Sequence, residues 1–109
     1  MEIIRTTLYI KKARKLLTKG EILKAEDEIA LSPDRWPVIS GTGGVRKARS
    51  SKGDSGKSGG VRILYYFILV DEVIYLLDIY AKNEKENITA ADKKLIKKII
   101  TELKGGAYA

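Results

Sequence analysis

Apolar residues recur along this chain with a helical period first, then with the spacing of buried strands, then helically again. Ile3 and Ile4 suit a short opening strand. From Thr7 the pattern turns helical: Leu8, Tyr9, Ala13, Leu16 and Leu17 fall on one face, and Lys11, Lys12, Arg14 and Lys15 on the other. Thr18-Lys19-Gly20-Glu21 has capping-box spacing, a hydroxyl three residues before a carboxylate. That predicts a second helix to about Leu31, with Ile22, Leu23, Ala25 and Ile29 inward. Ser32-Pro33-Asp34 ends it, so the two helices form an αα-hairpin.

Residues 35–44 read as irregular, with Trp36, Pro37 and the tightly turning run Gly41-Thr42-Gly43-Gly44. A short strand is predicted over 45–50. A glycine-rich loop follows over 51–60. The strand over 61–70 is apolar on both faces after Arg62, as a sheet centre requires. Asp71-Glu72 turns the chain, and 73–81 returns antiparallel. After a polar link at 82–87, Thr89 caps a last helix, with Asp92 three residues on. Its stripe is Leu95, Ile96, Ile99, Ile100 and Leu103, opposite Lys93, Lys94, Lys97 and Lys98, and Gly105-Gly106 stops it. The order strand, two helices, three strands, helix predicts an α+β domain over 1–109. A small, mostly antiparallel sheet should carry an N-terminal helical hairpin and a C-terminal helix on one face.

Composition narrows the chemistry. At 109 residues, with 44% hydrophobic and 32% charged, the chain suits one globular domain. There is no Cys and no His. That excludes disulfides, thiol nucleophiles, zinc–thiolate sites, imidazole ligands and a Ser-His-Asp triad. The longest apolar run, 63–70, is far short of the ~18 residues of a membrane span. Met1-Glu2-Ile3-Ile4-Arg5 has no signal-peptide core, so a soluble cytoplasmic protein without membrane attachment is expected. The net charge is +7, and its densest block is 46–62. There Arg46, Lys47, Arg49, Lys52, Lys57 and Arg62 face one acid, Asp54. This block is either a surface for phosphates or simply a solvated loop.

Two apparent motifs fail. Gly53-Asp54-Ser55-Gly56-Lys57-Ser58 lacks the P-loop's first glycine and leads into a strand rather than a helix. Asp71, Glu72 and Asp78 lack metal-ligand spacing, so no metal site or cofactor is expected. Strand phase offers more. Lys47 and Arg49 share a face, Arg62 opens the next strand, and Tyr80 and Lys82 close the last. If these strands are neighbours, the cations and Tyr80 converge at one end of the sheet. Cations then meet phosphates while a tyrosine ring stacks on a base. The bland alternative has Tyr80 as packing and Lys82 as surface charge.

Three stretches carry a family resemblance. They are Gly41-Thr42-Gly43-Gly44-Val45-Arg46-Lys47-Ala48-Arg49, then Gly56-Lys57-Ser58-Gly59-Gly60-Val61-Arg62-Ile63-Leu64-Tyr65-Tyr66, then Ile74-Tyr75-Leu76-Leu77-Asp78-Ile79-Tyr80-Ala81-Lys82-Asn83-Glu84-Lys85. Together they resemble the HigB-like branch of the RelE/ParE toxin superfamily. The resemblance implies a RelE-like fold and the toxin of a type II toxin–antitoxin pair. It implies a metal-independent endoribonuclease that cuts mRNA on the ribosome and blocks translation. A helix-turn-helix antitoxin would silence it and carry the complex to operator DNA. The implied catalytic residues are Arg49, Lys57, Arg62, Tyr80 and Lys82. Arg62 and Arg49 would clamp phosphate, Lys57 and Lys82 would be acid or base, and Tyr80 would stack on or orient the substrate base. Arg46, Lys47 and Lys52 would bind RNA. The chain departs from some relatives in having no His and in carrying Asn83 where they carry Arg.

Two other functions remain open at this point. A ParE-type toxin shares the fold but poisons DNA gyrase, and needs no Lys/Arg/Tyr cluster. A non-catalytic basic module would bind RNA and leave it uncut.

Overall fold

Strands that are apolar on both sides must lie inside a sheet and be covered twice. In the computed structural model, which describes residues 1–53, 60–85 and 87–104, that is where they lie. The elements are β1 (Glu2–Arg5), α1 (Thr7–Leu16), α2 (Lys19–Leu31), β2 (Val45–Ser50), β3 (Val61–Ile68), β4 (Val73–Ala81) and α3 (Ala90–Lys104). The sheet order is β1-β4-β3-β2, so β3 and β4 are central. β1 runs parallel to β4, and the other two pairings are antiparallel.

The helix starts follow their capping residues. Thr6 accepts from the Tyr9 amide, and its hydroxyl also reaches the Leu76 and Leu77 carbonyls, which ties the start of α1 to β4. Thr18 and Glu21 form the full capping box of α2. Thr89 and Asp92 make the same reciprocal pair before α3.

Strand alternation divides the core. Ile63 and Tyr65 of β3, with Ile74, Leu76 and Ile79 of β4, pack against Tyr9, Ala13, Ala25 and Ile29 of the helical hairpin. Leu64, Leu77 and Tyr80 pack against Ile96, Ile100 and Leu103 of α3. The α+β composition and mostly antiparallel sheet are as predicted. The placement of all the helices on one face is corrected: α3 covers the face opposite the hairpin. The reason is the two-sided apolarity of β3 and β4, since apolar surface left in water costs roughly 25 cal/mol per Å². A register slip helps: Leu64 pairs with Asp78 and Tyr65 with Leu76, leaving Leu77 as an extra residue on β4. Leu77 and Tyr80 thereby enter one core while Leu76 and Ile79 stay in the other.

Smaller corrections follow from narrower buried stripes. Leu8, Leu23 and Leu95, predicted inward, are exposed. β3 ends at Ile68, and Leu69 and Val70 belong to the exposed turn, where Glu72 takes a φ of 52°. One buried charge braces the hairpin: the carboxylate of Glu26 accepts from the Arg5 guanidinium and, at 2.9 Å, from the Tyr9 hydroxyl. Burial chiefly, and then this hydrogen bond, push the Tyr9 phenol well above its ordinary range.

Candidate functional site

At the end of the sheet, Ser50 of β2 pairs with Val61 and Val61 with Ala81, so three strand ends meet. Gly60 makes this possible. A Cβ built there would lie 2.1 Å from the Ser50 carbonyl oxygen. The Gly60 carbonyl accepts from the Lys82 amide at 3.0 Å, which holds the start of the polar link beside β3.

One row across the sheet then reads Arg49, Arg62, Tyr80. A cleft of about 410 Å³ opens here, lined by Trp36, Pro37, Lys47, Arg49, Arg62, Lys82 and Asn87. Lys47 and Arg49 share the phase of Val45, which packs in the α3-side core, so they project from that face. Four lining residues are cations and, among the described residues, none is a carboxylate. Such a cleft focuses positive potential and attracts a polyanion.

The sequence-predicted residues do not all share this place. Lys47, Arg49, Arg62 and Lys82 line the cleft together. Arg46 points to the other face of β2. Its guanidinium donates to the main-chain carbonyls of Asp34 and Trp36 and braces the loop over 32–37. Lys52 is exposed and outside the lining. Lys57 lies outside the described residues.

Tyr80 meets its neighbours differently from expectation. It is 0% exposed and part of the core beneath α3. The Lys85 ammonium sits 4.9 Å from its ring centroid, held by Asp92 at 2.8 Å. Stacking of Tyr80 on a substrate base is therefore corrected, because α3 and Lys85 occupy the space a base would need. Its hydroxyl is buried and has no hydrogen-bond partner among the described residues. Burial raises the Tyr80 phenol; nearby Arg62 opposes that rise, while Asp78 and Asp92 add to it.

Trp36 belongs to a segment that reads as irregular, and Asn87 to the end of the polar link, neither with a predicted role in the site. The structure brings both into the cleft. The Trp36 ring has the Arg35 and Arg49 guanidinium carbons 4.9 and 5.2 Å from its centroid. The available signal was the chain's single tryptophan set between Arg35 and Pro37.

The family model described as the RelE toxin of the RelE/RelB toxin–antitoxin system matches residues 1–107. Solved structures of similar fold include the intact Escherichia coli RelBE toxin–antitoxin complex. That match has 20% identity and a TM-score of 0.56, and covers 72% of this chain and 92% of the other. The isolated E. coli RelE toxin matches at 19% identity and a TM-score of 0.56, covering 90% and 97%. The archaeal RelE–RelB complex from Pyrococcus horikoshii matches at 20% identity and a TM-score of 0.51, covering 77% and 97%.

Proposed function

The chain belongs to the family of RelE toxins of RelE/RelB toxin–antitoxin systems, and from that membership we propose that it is a ribosome-dependent mRNA endoribonuclease that inhibits translation. The observation that carries this reading is the cleft in which Lys47, Arg49, Arg62 and Lys82 come together with no described carboxylate. A cleft of that charge suits the sugar–phosphate chain of a message.

The proposed reaction is metal-independent attack of a ribose 2′-hydroxyl on the adjacent phosphorus. The P–O5′ bond breaks, leaving a 2′,3′-cyclic phosphate and a 5′-hydroxyl. Negative charge grows on the phosphorane oxygens, where guanidinium groups stabilise it most. Arg62, set in the sheet beside Arg49, is assigned to that charge, with Arg49 next to it. Lys47 follows the strand's phosphates. Lys82 is assigned to proton transfer at the entering or leaving oxygen, with Lys57 as the second candidate. Tyr80, beside Arg62 in the sheet, supports it by packing rather than by touching a base.

Two of the similar structures are complexes of a RelE toxin with its partner. By that analogy this cytoplasmic toxin, one domain over 1–109, assembles with a cognate antitoxin that silences it. The Gly41-Thr42-Gly43-Gly44 and Gly60-Val61-Arg62 runs support a HigB-like partner of helix-turn-helix type, through which the complex would reach operator DNA.

Primer extension on ribosome-bound mRNA after induction tests the reading. New 5′ ends are expected with the unaltered chain and not with Arg62→Ala, provided circular dichroism shows the variant folded. Full growth arrest by folded Arg62→Ala removes the lead assignment. Loss of DNA supercoiling with intact mRNA points to a gyrase poison instead. RNA bound but uncut points to a non-catalytic module.

A further inference from the structure

We propose that Trp36 is the stacking platform for a base next to the scissile phosphate, and that the base takes the place of the Arg49 guanidinium on its ring. The inference rests on the nuclease reading for its substrate class.

Trp36 is the aromatic ring that lines the cleft. It is half-buried, with support from the hairpin-side core, so one part of the ring is anchored and another is open. Tyr80, at 0% exposure, presents no face to a ligand. In the structure Arg49 rests 5.2 Å from the Trp36 centroid while its own side chain is exposed. An exposed cation–π contact is weak, whereas base–aromatic stacking is stronger and tolerates any base. A single-stranded segment entering the cleft therefore trades the first contact for the second. The displaced Arg49 guanidinium stays within the cleft, beside Arg62, where a phosphate follows the stacked base. Arg35, 4.9 Å from the same ring, keeps its own contact and adds a cation for the next phosphate. Purines, with the larger π-face, stack better than pyrimidines. The site accordingly favours a purine next to the cut.

Because Trp36 is the chain's only tryptophan, its fluorescence reports on this ring, and the abasic control separates stacking from other changes around it. The probe is a short oligoribonucleotide 2′-O-methylated at every ribose, so that it lacks the attacking hydroxyl. Its control is an abasic strand of equal length. The base-bearing strand should quench Trp36 emission, and the abasic strand should not. With labelled strands, Trp36→Leu should weaken binding of the base-bearing strand about ten-fold and leave the abasic strand unchanged. Trp36→Phe should restore most of the difference, and thermal melts should show both variants folded. Equal quenching by the two strands, or none, overturns the proposal. Ribosomal mRNA cleavage that Trp36→Leu matches in rate and base preference also overturns it, and leaves the nuclease reading standing. Base-dependent quenching with uncut ribosomal mRNA keeps Trp36 as a base-stacking site but removes the nuclease reading, and with it the placement beside a scissile phosphate.

Discussion

Arg49 and Arg62 stand directly opposite each other on β2 and β3. Like charges so placed destabilise a strand pair by roughly 0.2–1 kcal/mol. On the proposed reading, the phosphate of the message lies against both of them. Arg49 also gains roughly 0.5–1 kcal/mol from Trp36. Arg49→Gln removes both effects, and they nearly cancel. The Tm should stay within about 3 °C of the parent. Cleavage of ribosome-bound mRNA should fall on the order of 100-fold. A variant with lost stability and lost activity together would assign Arg49 to the fold instead.

Gly60→Ala should damage the fold and the site at once. Its Cβ would meet the Ser50 carbonyl oxygen at 2.1 Å, and that oxygen is backbone, which no rotamer change can move aside. β2 and β3 must separate at their shared end, next to Arg62. A loss of about 2 kcal/mol is expected. A thermal melt should read it as a fall of roughly 10 °C.

Tyr80→Phe should leave stability at or above that of the parent. The hydroxyl it deletes is buried and unpaired among the described residues. Removing such a group while keeping the ring loses no hydrogen bond. The Tm should not fall, and mRNA cleavage should remain within a few-fold. A large drop in cleavage at unchanged Tm would return the phenol to the chemistry.

Asp92 links stability to acid. The Lys85 ammonium first, and then the Thr89 amide, hold its carboxyl down to about 2. A carboxyl lower in the folded state than in the unfolded chain, where it titrates near 3.9, stabilises the fold above pH ~4. That contribution disappears as pH falls from about 4 towards 2. Asp92→Asn should lower the Tm at pH 6 and flatten its decline between pH 5 and 2, measured by melts across that range. An unchanged acid slope would show that the pair with Lys85 does not hold in solution.

What the sequence determined by itself was local. Capping spacings at Thr18 and Thr89 placed helix starts, because a cap is a contact over three residues. Two-sided apolarity placed the strand read over 61–70 at the sheet centre, hairpin logic paired 73–81 with it, and strand phase already grouped Lys47 with Arg49 and Tyr80 with Lys82. Tertiary structure decided what depends on distant segments. It put α3 over the face opposite the hairpin, and so closed Tyr80 away from any base. It turned Arg46 to the main chain of the loop and brought Trp36 round the β2 edge into the cleft. Neither outcome is written in periodicity. Alternation along a strand says which residues share a face, but which element comes to cover that face is settled only when all the apolar surfaces compete for burial together.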